Sequence, residues 1–72
     1  MNVYVTVETA APTVQSPQPT YEAARTAAIR KAGLAMPAGC MRMEFVKCQR
    51  YSLDTDSLGG LVERRVFRFV AR

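Results

Sequence analysis

The chain contains no histidine and no tryptophan, and it has only two cysteines. Without histidine, Ser-His and Cys-His nucleophilic chemistry and imidazole metal sites are excluded. Cys40 and Cys48 form no Cys-x-x-Cys pair that would suggest zinc. If both lie on one extended segment, about eight steps at ~3.3 Å put them beyond disulfide reach, so free thiols in a reducing compartment are expected. No apolar run approaches the ~20 residues that span a bilayer. The opening MNVYVTVE lacks the basic start and long apolar core of a secretory signal, so the expected location is the cytoplasm, with no membrane partner. A glycine-rich phosphate loop is missing too: Gly59-Gly60 precedes a strand pattern, whereas phosphate cradles precede a helix. Asp54-Thr-Asp-Ser-Leu-Gly suggests calcium only at first sight, because an EF-hand register puts Leu58 at its fifth position and Arg65 at its twelfth. A hairpin turn is the expectation there. No catalysis, cofactor or metal is expected.

What is present fits one small globular domain over residues 1–72, with 49% hydrophobic and 22% charged residues. A chain this short buries a modest share of its surface, so the core must be simple: a sheet face closed by one helix, or a core shared in a dimer. The net charge of +4 is unevenly spread. Up to residue 24 there are Glu8 and Glu22 and no base; from residue 25 onward ten Lys and Arg face four acids. That excess favours an acidic protein face or a polyanion, within a screened reach of about 8–10 Å.

Val3, Val5 and Val7 alternate with Tyr4, Thr6 and Glu8, as in a half-buried strand. Residues 10–19 hold Pro12, Pro17 and Pro19, which favour a loop or a detached edge segment that could add a fourth strand. A helix is expected from about Tyr21 to Ala32, capped by Thr20, with Glu22 in its first turn. Tyr21, Ala24, Ala28 and Ala32 share a stripe with Ile29 at its margin, while Glu22, Thr26 and Arg30 face away. Gly33 is the expected stop, and Pro37 bars continuation. A strand follows over Cys40–Tyr51, with Met41, Met43 and Phe45 facing the helix and a bulge after Phe45. Residues 52–60 read as the turn, with Gly59 and Gly60 able to take positive φ. The fold expected is α+β: a small antiparallel-rich sheet of three to four strands packed against one helix, in β-α-β-β order.

The final strand, VERRVFRFVAR, sets Arg64, Arg68 and Arg72 on one side and Phe67, Phe69 and Ala71 on the other. Residues 65–72 partly echo the RNP1 strand of an RNA-recognition motif: Arg65, Phe67, Phe69 and Val70 fit, whereas Val66, Arg68 and Arg72 do not. That family also packs two helices behind its sheet, and one is evident here. Burying both phenylalanines is worth about 3–6 kcal/mol, which a domain of this size can hardly forgo. The rings are therefore expected inside and the arginines outside. Arg42, Glu44, Val46 and Arg50 of the preceding strand would share that outer face with Val66 and Val70. A basic sheet punctuated by valines suits a protein partner or self-association. Arg25, Arg30 and Lys31 offer a second basic patch on the helix.

The short strand, the Ala-rich helix with Ala24-Arg25-Thr26-Ala27-Ala28 and the strand with Met41-Arg42-Met43-Glu44 after Gly39 resemble small phage-encoded type I anti-CRISPR proteins over residues 20–46. The resemblance implies a non-enzymatic inhibitor that docks on an RNA-guided surveillance complex. Such a protein blocks target DNA binding or nuclease recruitment. It implies contacts to acidic protein surface, guide RNA or displaced DNA through Arg25, Arg30, Lys31, Arg42, Arg64 and Arg68, to which the mixed basic-apolar sheet face adds Val66. Two other roles remain open on the residues alone: a basic nucleic-acid-binding accessory protein, and a structural homodimer joining two open sheets.

Overall fold

The computed structural model describes residues 1–11 and 20–72. The elements are β1 (Asn2–Ala10), α1 (Thr20–Leu34), β2 (Met43–Thr55) and β3 (Leu61–Ala71). The strands form one antiparallel sheet in the order β1-β3-β2. The fold is α+β, with α1 covering one face of this sheet. A fourth strand from the proline-rich segment falls on residues outside those described.

Strand β3 takes the centre because its alternation is the strongest in the chain. Glu63, Arg65, Phe67, Phe69 and Ala71 are buried, while Val62, Arg64, Val66, Arg68 and Val70 between them are half-buried. On the helix side, Phe67 and Phe69 are flanked by Val5 and Val3 of β1 and by Cys48 and Phe45 of β2. Ala24, Ala28 and Ala32 bring the helix down onto this surface, and all three are buried. Their small side chains permit the close approach that two phenylalanines in the sheet require. Phe45 closes the cluster with rings 6.0 Å from Phe67 and 5.7 Å from Phe69.

Several sequence expectations shift by a few residues, each for a local reason. The helix passes through Gly33 and ends at Leu34, where the Ala35 amide donates to the carbonyls of Lys31 and Ala32. Gly33 does not adopt positive φ; Gly39 and Gly59 do. Thr20 is the first residue of the helix and so lies inside it. Met41 precedes the strand and is 89% exposed, so only Met43 and Phe45 of the expected trio pack on the core.

Strand β2 runs on to Thr55, leaving the turn to residues 56–60. Asp56 organises it, accepting at one carboxylate oxygen from the amides of Leu58 and Gly60. Only Gly59 of the glycine pair needs the left-handed region, at φ 84°. The expected bulge after Phe45 is present, and a second follows Cys48.

Phe67→Ala should lower unfolding free energy by about 3–5 kcal/mol. Val66→Ala, on the opposite face, should cost no more than about 1 kcal/mol. Urea denaturation measures both, and equal losses would contradict the assigned parity.

Candidate docking face and the buried ion pair beneath the helix

The helix leaves the second sheet face bare, and strand register orders it into five rows. From one end these are Asn2–Val70–Glu44, Tyr4–Arg68–Lys47, Thr6–Val66–Arg50, Glu8–Arg64–Ser52 and Ala10–Val62–Asp54. The two bulges each let a pair of β2 residues oppose one residue of β3, so Val46 joins Lys47 and Gln49 joins Arg50. Phe45 and Cys48 both stay on the helix side because of this extra residue. Tyr4 is 56% exposed and Val46 40%.

Charge on this face is uneven. Arg64 bridges Glu8 at 3.4 Å and Asp54 at 3.0 Å. Glu8 and Asp54 hold the Arg64 guanidinium above its ordinary value. Asp54 lies below its own, chiefly because the Thr55 amide donates to it and then because of Arg64. At the other end Glu44 accepts from both Arg42, at 2.9 Å, and Arg72, at 3.1 Å. Among the described residues, Lys47, Arg50 and Arg68 in the middle have no ion-pair partner.

The seven residues singled out from sequence therefore do not form one surface. Val66 and Arg68 sit at the centre of the bare face, and Arg64 stands beside them, already neutralised. Arg42 lies just before β2 and is held by Glu44. Arg25 stacks on the Phe45 ring of β2 at 5.3 Å, whereas Lys31 donates to the Thr6 carbonyl of β1 at 3.3 Å. These two helix cations thus reach towards opposite edges of the sheet, and Arg30 is exposed between them. Lys47, opposite Arg68, was missed because the blurred alternation after Phe45 hid which face it joins.

A second cluster lies on the helix side. Glu63 and Arg65 follow the same parity as the phenylalanines and are buried, only 8% and 7% exposed. Their side chains pair at 3.2 Å. Tyr51 donates its hydroxyl to Glu63 at 2.7 Å, and the Arg65 guanidinium lies 5.0 Å from the Tyr51 ring and 5.8 Å from Tyr21. The bond from Tyr51, with the nearby Arg65 charge, holds the Glu63 carboxyl below its ordinary value despite burial. The same Glu63 bond raises Tyr51. Phe67 continues the row, its ring 6.0 Å from Tyr21. This polar cluster supports the start of the helix and belongs to the fold.

A half-open cleft of about 290 Å³ lies between α1 and β2, lined by Ile29, Ala32, Met36, Met43, Phe45 and Phe69 among others. A second hollow of about 300 Å³ on the helix is lined by Glu22, Arg25, Thr26 and Ile29. Among the described residues no group of three or more Cys, Asp or Glu side chains is placed to hold a metal, and no helix is long and apolar enough to cross a membrane. Cys40 and Cys48 are both free thiols. Compared with protein-family models, curated proteins and solved structures, the chain matches none.

Glu63→Ala alone leaves Arg65 as a buried unpaired cation and should cost about 3–5 kcal/mol. The double replacement Glu63→Leu with Arg65→Met should cost less than that single change, as a denaturation cycle would show; a larger loss in the double variant would contradict this account.

The pH dependence follows from the same groups. Glu63 and Asp54 are depressed, so the native state binds fewer protons and their stabilisation is lost as pH falls below the ordinary values of 4.5 and 3.8. Tyr51 is raised, so its contribution is lost as pH rises above 10.0. Tyr51→Phe should therefore flatten the alkaline decline in Tm while leaving Asp54's part of the acid decline in place. An unchanged alkaline limb would contradict the Tyr51–Glu63 bond.

Proposed function

We propose that this chain is a small binding protein without catalysis of its own, which acts by covering a partner's surface with its helix-free sheet face. One observation carries this reading. The bare face interleaves Tyr4, Val46, Val62, Val66 and Val70 with Lys47, Arg50 and Arg68, which have no ion-pair partner among the described residues. A solvated sheet face alternates apolar-in with polar-out, and valines on the outward side gain nothing from the chain's own core. Aliphatic patches broken by cations, with an aromatic beside them, suit a protein interface.

The mechanism is steric occlusion guided by charge complementarity. The sequence's resemblance to phage-encoded anti-CRISPR proteins suggests the partner to test first: the protein surface of an RNA-guided surveillance complex in the host cytoplasm. Occupying such a surface would block target DNA binding or nuclease recruitment. Nucleic acid is less well served, because carboxylates of Glu8 and Asp54 at one end and Glu44 at the other interrupt any backbone track along the face. Self-docking about an axis through the centre would set the Lys47–Arg68 row of one copy against that of the other.

The test is a pull-down with tagged protein from nuclease-treated bacterial lysate. A protein retained in stoichiometric amount, and lost when Val66→Asp is introduced into an otherwise folded chain, is the expected result. Loss of all binding on nuclease treatment, with affinity falling steeply with salt, would instead indicate phosphate contacts.

A further inference from the structure

We infer that the Lys47–Arg68 row is a carboxylate clamp, and that the partner presents an acidic protein segment to it. It rests on the docking reading above and goes further by naming what the face takes. Lys47 and Arg68 are direct cross-strand neighbours. Like charges placed opposite one another on a sheet destabilise it, and here no carboxylate offsets the pair among the described residues. Every other arginine exposed on this face or at its end, apart from Arg50, has an acid: Arg64 has two, and Arg42 and Arg72 share Glu44. Acids thus neutralise the cations at both ends of the face, while among the described residues the central Lys47–Arg68 row and the neighbouring Arg50 have none.

Arg68 supplies the second observation. Its Nε is shielded from solvent and has no acceptor among the described residues. That leaves one donor of the row unmet, which an incoming carboxylate would satisfy by drawing the side chain outward. A carboxylate set over the row meets the ammonium of Lys47 and the guanidinium of Arg68 together, and charge-assisted bonds of this kind are the strong ones. Tyr4 closes the row on the β1 side and Val66 and Val70 lie on either side of Arg68, so the anion would sit in a partly apolar frame.

The size of the cationic patch selects protein over nucleic acid. Along β3, the Glu44 row lies about 7 Å to one side of Arg68 and the Arg64 row, with Glu8, about 13 Å to the other. One or two side-chain carboxylates fit between these limits, whereas a run of phosphates would cross the acids at both ends.

The experiment is an NMR titration of the full chain with an end-blocked hexaglutamate peptide and, separately, with a thymidine oligonucleotide of matched charge. Saturable shifts centred on Lys47 and Arg68 are expected with the peptide, weakened about tenfold by Arg68→Gln. Lys47→Gln should weaken binding as well and, by relieving the like-charge pair, raise Tm by about 2–4 °C. Tighter binding of the oligonucleotide, no saturation with the peptide, or an unchanged Tm in Lys47→Gln would each overturn the clamp. In the lysate capture, loss with Val66→Asp but not with Arg68→Gln would sink the clamp and leave the docking face standing. Indifference to both would remove the face itself.

Discussion

The contact between Phe67 and Phe69 and the alanine stripe of α1 sets everything else in this molecule. Both rings are fully buried, and Ala24, Ala28 and Ala32 are small enough to let the helix rest on them. In a strand, fixing one side chain's direction fixes all the others. With the rings turned towards the helix, Glu63 and Arg65 must also go inward, and Val62, Arg64, Val66, Arg68 and Val70 must face out. A domain of this size can afford one such core, and its position leaves the other sheet face to solvent or to a partner.

The inward set has a polar end that the helix start turns to use. Glu63 accepts at one carboxylate oxygen from Tyr51 and from Arg65, while its other oxygen is buried without a partner among the described residues. Buried ion pairs seldom add net stability, since desolvation offsets their attraction. Their cost when broken is large, however, and this one lies against Tyr21 in the first turn of α1. The Tyr51 hydroxyl of the edge strand bonds Glu63, and the Arg65 guanidinium lies over the Tyr21 ring at the helix start. Beside it, the aromatic and alanine contacts supply the apolar part of the same interface.

Much of this was legible in the sequence. Period-two alternation identified β1 and β3, alanine spacing identified the helix face, and the choice of inward phenylalanines followed from the need for a core. The same alternation places Glu63 and Arg65 on the buried side, but their charge argues for solvent, and only the shared parity with Phe67 and Phe69 overrides it. The helix overran Gly33 because glycine stops a helix by adopting positive φ, which it does not do here. Strand β2 was the hardest to read. Two bulges break its alternation, so the inward Tyr51 and the outward Lys47 obey a register set by hydrogen bonding to β3, which no window of local sequence contains. Pairing of Arg64 with Glu8 joins residues far apart in the chain, and it converts a candidate contact residue into an internal charge pair.

The account turns on the helix-free face being an open surface that a partner covers. Solvent paramagnetic relaxation of the valine methyl groups tests this most directly, with and without the hexaglutamate peptide. A soluble nitroxide should broaden Val66 and Val70 in the free protein and spare Val5 and Val7, which lie under the helix, and the peptide should shield Val66 and Val70. Shielding on the helix side instead, or broadening of Val5 and Val7 to the same degree, would contradict it.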